Sequence, residues 1–424
     1  MHQQQQVSRT PIPNEVHIPF DNQIYGTKDP PRFEKQAKFI SEYCITYDRK
    51  LQLGRMRAKR LHDKHLFSRP NSFSFDLNHG FETFDPKEGD EKLMMLLEWI
   101  RQMSPEGGRL RKVIHEADFV CWRGLLTKIS ATIYNKDDGW RVKAIRRKGV
   151  IFLMEEKTEL AKKRELNQTD MEKRMSYWGH KFEQYVTKDD EAEEPETSSP
   201  VTTKEEYAVV FRNDLVTNPR LHADRRTVGI LYSGEVDCLD KYGNTVELKT
   251  QKGEINGYFW KSAKSLKWWL QSSLVNVDNI IVGHRTQEGQ VRSLTALRAR
   301  EMPQSATWNF RACFDFTSTI FTWILNCLEK EGDACVVEFR SELGLQKGIQ
   351  MRRVAAEECH HAYAPNTEFL KLFSRENKFL FEKTCDLELN NCLTYFHNPI
   401  GISIDFRQHP LSKSFQTQVQ FVSL

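Results

Sequence analysis

Three carboxylates and a lysine fall on alternate positions between Gly234 and Lys249: Glu235 and Asp237, then Glu247 and Lys249, around a Gly243-Asn244 turn. The stretch reads as two short strands. Side chains two apart on a strand share a face, so these four point one way while Val236, Cys238, Val246 and Leu248 face a core. Three like charges held together repel and raise each other's pKa unless a positive group sits among them. Oxygen-only ligands suit a hard ion such as Mg²⁺ or Mn²⁺. Two such ions roughly 3.5–4 Å apart are common machinery for phosphodiester hydrolysis. Lys249 fits as the charge that holds the attacking water or neutralises the phosphate. The plain alternative is a solvated acidic edge that deters strand pairing. The fully apolar opposite face favours the first reading, because it anchors the acids in a core.

The order Asp237, then Glu247-Leu248-Lys249, resembles the PD-(D/E)XK nuclease signature. Further motifs, spread from about Phe73 to about Phe321, resemble the DXO decapping exoribonuclease family. Phe-Val-Cys-Trp-Arg-Gly at 119–124 is similar to that family's first motif, whose Arg, here Arg123, contacts phosphate. Gly-His-Lys-Phe-Glu at 179–183 is similar to the second, a Gly, aromatic, any, aromatic, Glu pattern; His180 replaces a larger aromatic and Glu183 is intact. Gly234–Asp237 and Glu247–Lys249 match the third and fourth, and Lys267-Trp268-Trp269-Leu270-Gln271 the fifth. The His180 departure reads as a packing change.

The resemblance implies an α+β fold, a twisted mixed β-sheet flanked by helices, with a PD-(D/E)XK-like active-site hairpin. It implies two divalent cations, Mg²⁺ or Mn²⁺. Glu183, Asp237, Glu247 and the Leu248 carbonyl would hold one, with Glu235 helping to hold a second. Lys249 and Gln271 would position the nucleophile, and Arg123 would grip substrate phosphate. The implied activity is removal of incomplete or non-canonical caps, NAD caps included, and of 5′ pyrophosphate, followed by 5′-to-3′ digestion of single-stranded RNA. The second reading is a non-catalytic partner that stabilises a separate 5′-to-3′ exoribonuclease, and the third a DNA endonuclease of the same general fold. Intact acids argue against a pure scaffold, and the extra motifs argue against the endonuclease.

The elements that must position these residues are partly legible. Leu93, Leu96, Leu97 and Ile100 recur at helical spacing and predict a helix over 91–103. Strands are expected at 118–134, which places Arg123 on a strand, and at 139–154 beyond the turn 135–139. A long charged helix is expected at 155–187, carrying Glu183 against the sheet. The hairpin is expected at 229–250, then a helix at 258–275 bearing Gln271, with Trp268 and Trp269 read as core or groove lining. An Ile-Ile-Val strand at 279–284 and a Phe- and Trp-rich core helix at 306–329 follow. Strands at 334–340 and 417–423 and a helical stretch at 367–374 complete the reading. Residues 1–35, Gln-rich with four prolines, read as a disordered lead. Residues 189–206, acidic and Ser/Thr/Pro-rich, read as a disordered insertion without chemistry. The catalytic domain is expected at 36–334, with 335–424 either an extension of unclear role or part of the same domain.

Composition sets outer limits. A 424-residue chain suffices for a large core, and no run of 18 apolar residues predicts a membrane span. Nine cysteines in odd number and without Cys-x-x-Cys spacing point to reduced thiols and an intracellular protein; Cys359-His360-His361 is a poor metal site because adjacent side chains cannot close a tetrahedron. The net charge of +4 says little. Two basic runs, 55–64 and 141–148, read as phosphate-tracking faces or as solvated ones, and the first also as a nuclear import signal. A nuclear location is the expectation, with the cytoplasm as the alternative.

Overall fold

Apolar runs such as Val150–Met154 and Ile280–Val282 are too continuous for a strand with one wet face and belong in sheets covered on both sides. The computed structural model describes residues 36–373 except 90–92, 106, 219–226, 254, 256, 259, 344–348 and 360–364, together with 15–18, 25 and 33. It shows an α+β fold with two mixed sheets, one of ten strands and one of seven. The elements that build the site are, in chain order, β1 (Arg60–Leu61), β2 (Phe119–Trp122), α1 (Arg123–Ala131), α2 (Asp170–Val186), β3 (Glu206–Val216), β4 (Thr227–Glu235), β5 (Cys238–Leu239), β6 (Thr245–Lys252), α3 (Ser265–Ser273), β7 (Asn279–Arg285) and α4 (Phe310–Cys327).

In the larger sheet β4 lies between β3, antiparallel, and β2, parallel. In the smaller sheet β6 pairs antiparallel with β5 and parallel with β7, while β5 pairs parallel with β1. Helices α1, α3 and α4 share one core with the apolar faces of both sheets. Phe119 meets Phe321 edge-on at 4.8 Å, and Ser130 hydrogen-bonds Thr317 at 2.8 Å, which ties α1 to α4. A separate core packs α2, through Tyr177, Trp178 and Phe182, onto Val246, Leu248 and Ile281. Of the predicted inward face, Cys238, Val246 and Leu248 are therefore covered by the helix that carries Glu183, while Val236 joins the first core.

Several expectations need correction. The strand predicted at 118–134 stops at Trp122, and Arg123 opens helix α1. The long helix at 155–187 is a strand end and two helices, Glu159–Leu166 and α2, because Thr158 and Thr169 each cap a new start; Thr169 and Glu172 form a capping box. The single hairpin at 229–250 is divided: β4 ends at Glu235 in the larger sheet, and β5 and β6 form the hairpin in the smaller one. Within 1–35, Glu15–Ile18 is an edge strand, Tyr25 is buried against Phe316, and Phe33 packs on Phe314. Residues 189–206 are described throughout and tied down by ion pairs. No domain boundary falls at 334/335, since Ala334–Phe339 and Ile349–Val354 lie side by side in the ten-stranded sheet.

The strand expected at 139–154 is two antiparallel strands, Trp140–Arg147 and Val150–Glu156, reversed at Lys148–Gly149; the other expectations hold with trimmed ends. The helices appear at Met94–Gln102, Ser265–Ser273 preceded by a wide turn over Trp260–Lys264, Phe310–Cys327 and Thr367–Lys371. Trp268 and Trp269 are both buried. The basic run at 141–148 is a paired strand face, with Arg141 and Lys143 both held by Glu156. Cys359 is buried, whereas His360, His361 and the expected strand at 417–423 lie outside the described residues. Among the described residues no helix is long and apolar enough to cross a membrane.

Candidate active site

The site forms where the chain passes from one sheet to the other. Glu235 is the last residue of β4, and Val236 turns inward and is 1% exposed, its N–H donating to Tyr207 O at 2.9 Å. Asp237 then stands between the sheets and accepts a hydrogen bond from Leu248 N–H at 2.6 Å. Glu235 and Asp237 thus share a cleft through the change of sheet and not through alternation along one strand. On β6 alternation does hold: Glu247 and Lys249 share a face, and the Lys249 ammonium donates to Glu247 Oε1.

Helix α1 brings Arg123 to the same cleft. Its guanidinium donates to Gln271 O at 3.0 Å and lies 3.8 Å from Glu247 Oε2. Gly234 makes this possible, since a Cβ there would meet Arg123 at 2.9 Å. From α2, Glu183 accepts from or faces His180 Nδ1 at 3.4 Å, and the His180 ring stacks on Phe84 at 6.0 Å. Gln271 sits on α3 with its carbonyl, not its amide, engaged by Arg123. The structure thereby links the sequence-predicted residues: Gln271 and Leu248 through their backbone groups, and Glu183 through its field at Glu235 and Asp237.

The electrostatics show unbalanced negative charge. Glu235 keeps contact with solvent at the edge of the site, and the protein packed around it, then Glu206 and Glu183, push its carboxyl up to about 7. Burial, then Glu247, push Asp237 well above the usual carboxylate range, with Glu183 and Glu235 adding. Glu247 is 2% exposed; burial opposes its charge, but Lys249 and Arg123 outweigh burial and hold it low. Glu247 Oε2 and Arg123 Nε are buried without hydrogen-bond partners. A carboxylate oxygen left in this way costs free energy that a cation would recover. The donor set is all oxygen, so these residues fit a hard divalent cation. As they stand, Glu247 leans on Lys249 and Asp237 on Leu248 N–H, and among the described residues no three acidic, His or Cys side chains enclose a single point.

Two neighbours escaped the sequence reading. Glu206 adds to the negative field at Glu235, and Lys87, 2.6 Å from Glu206, offsets it. Neither sits in a motif; only the pairing of β3 with β4 places Glu206 there, and no local signal marks it.

Acids at a sheet switch followed by an acid-x-Lys strand define a PD-(D/E)XK-type nuclease centre. The RAI1-like PD-(D/E)XK nuclease profile matches residues 35–367, and the chain belongs to that family. It is accordingly a hydrolase acting on RNA. It is 72% identical over 367 residues to decapping nuclease dom-3 of Caenorhabditis elegans, covering 87% of this chain and 92% of that protein. It is 31% identical over 349 residues to the human decapping and exoribonuclease protein, covering 77% and 83%. The crystal structure of Candida albicans Rai1 in complex with pU5 and Mn²⁺ aligns with a TM-score of 0.66 at 18% identity, covering 84% of this chain and 98% of that one. Scheffersomyces stipitis Rai1, solved with (3′-NADP)⁺ and a calcium ion, aligns at 0.65 and 18%, covering 81% and 97%. At such identities the structures speak for the fold.

Proposed function

We propose that this chain removes incomplete or non-canonical caps, NAD caps included, and 5′ pyrophosphate from RNA, then digests the RNA from its 5′ end. The observation that carries the reading is the buried Glu247 Oε2, which accepts no hydrogen bond although Arg123 stands 3.8 Å away, beside the raised carboxyl of Asp237 at the place where the family motifs meet. Glu183, Asp237, Glu247 and the Leu248 carbonyl would hold one divalent cation, Mg²⁺ or Mn²⁺, and Glu235 would help to hold a second. When bound, the cations supply the positive charge that stabilises the transition state of phosphodiester cleavage.

The protein's own groups do the rest. Arg123 is fixed at one corner by Gln271 O and offers its remaining donors to the substrate phosphate. Lys249, held against Glu247, orients the attacking water and adds charge beside the scissile phosphorus. The Gln271 amide orients water or a phosphate oxygen. A nuclear location and a separate 5′-to-3′ exoribonuclease as partner belong to the same reading and rest on the family resemblance. A fluorescent fusion and co-elution of purified proteins test them.

The deciding experiment is the double variant Glu235→Ala/Asp237→Ala with 5′-monophosphate RNA and Mn²⁺. Loss of product with an unchanged circular dichroism spectrum is expected; full activity would sink the assignment. RNAs ending in triphosphate, unmethylated cap, methylated cap or NAD then rank the 5′ structures, and matched single-stranded DNA tests the sugar.

A further inference from the structure

The basic run at 55–64 lies under the acidic segment that follows α2. Lys59 pairs with Asp189 at 2.6 Å, Arg60 with Asp190 at 2.7 Å, and Lys64 with Glu194 at 2.7 Å. His62 also faces Glu194, at 3.4 Å. Strip and cover both spring from elements of the active site. Lys59 O accepts from Leu239 N–H at 2.9 Å, and Arg60 pairs with Leu239, two residues after Asp237. The cover begins six residues after Glu183, past the bridge of Lys188 to Arg60.

The cover is held by those ion pairs and by the Lys188 ammonium donating to Ala192 O, without apolar packing. Every residue from 189 to 200 is at least partly exposed, so no apolar burial fastens it. Exposed ion pairs contribute little each and are screened by salt. A polyanion that engages several cations at once gains from the release of many counterions, which a short acidic segment does not match.

Building on the RNA-hydrolase reading above, we propose that Asp189–Glu194 is a displaceable cover and that the strip Lys59–Lys64 beneath it binds the phosphate backbone of single-stranded RNA extending from the cleft. Short 5′ ends use the cleft alone. Longer RNAs displace the cover, and the strip then holds them for successive cleavage.

The test is binding without turnover. Metal-free protein is titrated into 3′-labelled 5′-monophosphate RNAs of about 5 and about 20 nucleotides, lengths chosen to lie below and above a typical single-strand site. Asp189→Asn/Asp190→Asn/Glu194→Gln should tighten binding of the long RNA only. The slope of log affinity against log salt should stay near the wild-type value, since long RNA engages the same three cations once the cover is displaced, and should flatten by about 2, near 0.7 for each cation, when those cations are removed. Adding Lys59→Gln/Arg60→Gln/Lys64→Gln should abolish the gain. Unchanged or weaker long-RNA binding by the folded acid variant would overturn the proposal. If that variant does not fold, Glu194→Gln alone carries the test, with a smaller gain in long-RNA affinity that Lys64→Gln abolishes while flattening the slope by about 0.7. Failure of the underlying reading shows separately, as wild-type protein that does not cleave the 5′-monophosphate RNA in Mn²⁺.

Discussion

The guanidinium of Arg123 stands 3.8 Å from Glu247 Oε2, yet Arg123 Nε and that oxygen are both buried without hydrogen-bond partners. A structural ion pair closes such a gap. Here the two charges face each other at ion-pair distance with hydrogen-bonding capacity left over on both, the capacity that the proposed phosphate and cation would use.

Gly234 keeps that arrangement open. A Cβ would lie 2.9 Å from Arg123 Cβ and 3.0 Å from its Nε, so Gly234→Ala must push Arg123 off its post. The expected result is a folded protein with kcat/KM on 5′-monophosphate RNA lowered by about 10²-fold, comparable to the loss of one electrostatic donor. Steady-state kinetics check it, and an unchanged kcat/KM contradicts the role given to Arg123.

Lys249 has a structural and a chemical part. It is the hydrogen-bonded partner of a Glu247 side chain that is 3% exposed, and removing one partner of such a buried pair costs about 3–5 kcal/mol. Lys249→Met should therefore lower stability in urea melts and reduce kcat by about 10²-fold or more. Lys249→Met/Glu247→Leu should recover stability and no activity. Recovery of both would show the pair to be purely structural.

His180 replaces an aromatic residue and still stacks on Phe84. His180→Tyr should keep that packing and change activity by less than about tenfold. A loss of 10²-fold or more, the scale of a general acid or base, would show that the imidazole itself takes part.

His65 supplies a pH dependence away from the cleft. Burial against Phe73 and Phe75, then Lys64 and His62, hold its imidazole below the usual range, and Glu194 opposes them. Between the folded pKa and the ordinary value of about 6.5 the unfolded chain binds the proton more readily, so stability rises with pH there. The contribution is full above about 6.5 and is lost as pH falls through the folded pKa. Melting temperatures from pH 8 down to 5 should fall less steeply for His65→Gln than for the wild type. Parallel curves would contradict this assignment.

What the chain alone determines is the chemistry and the local turns. Alternation on β6 sets Glu247 and Lys249 on one face with Leu248 behind them, because strand geometry leaves no other arrangement. Thr169 and Glu172 write the start of the helix that carries Glu183 into four adjacent residues. Arg123 was misplaced because Phe-Val-Cys-Trp is apolar enough to run on as a strand, and only packing of α1 against α3 and α4 selects a helix there. Tertiary structure alone decided that Glu235 and Asp237 meet through a change of sheet. It also set Glu206 beside Glu235 and laid Asp189 and Glu194 on Lys59 and Lys64. Those pairings join residues far apart in sequence through strand registers and surface charge, and no local propensity encodes a long-range register.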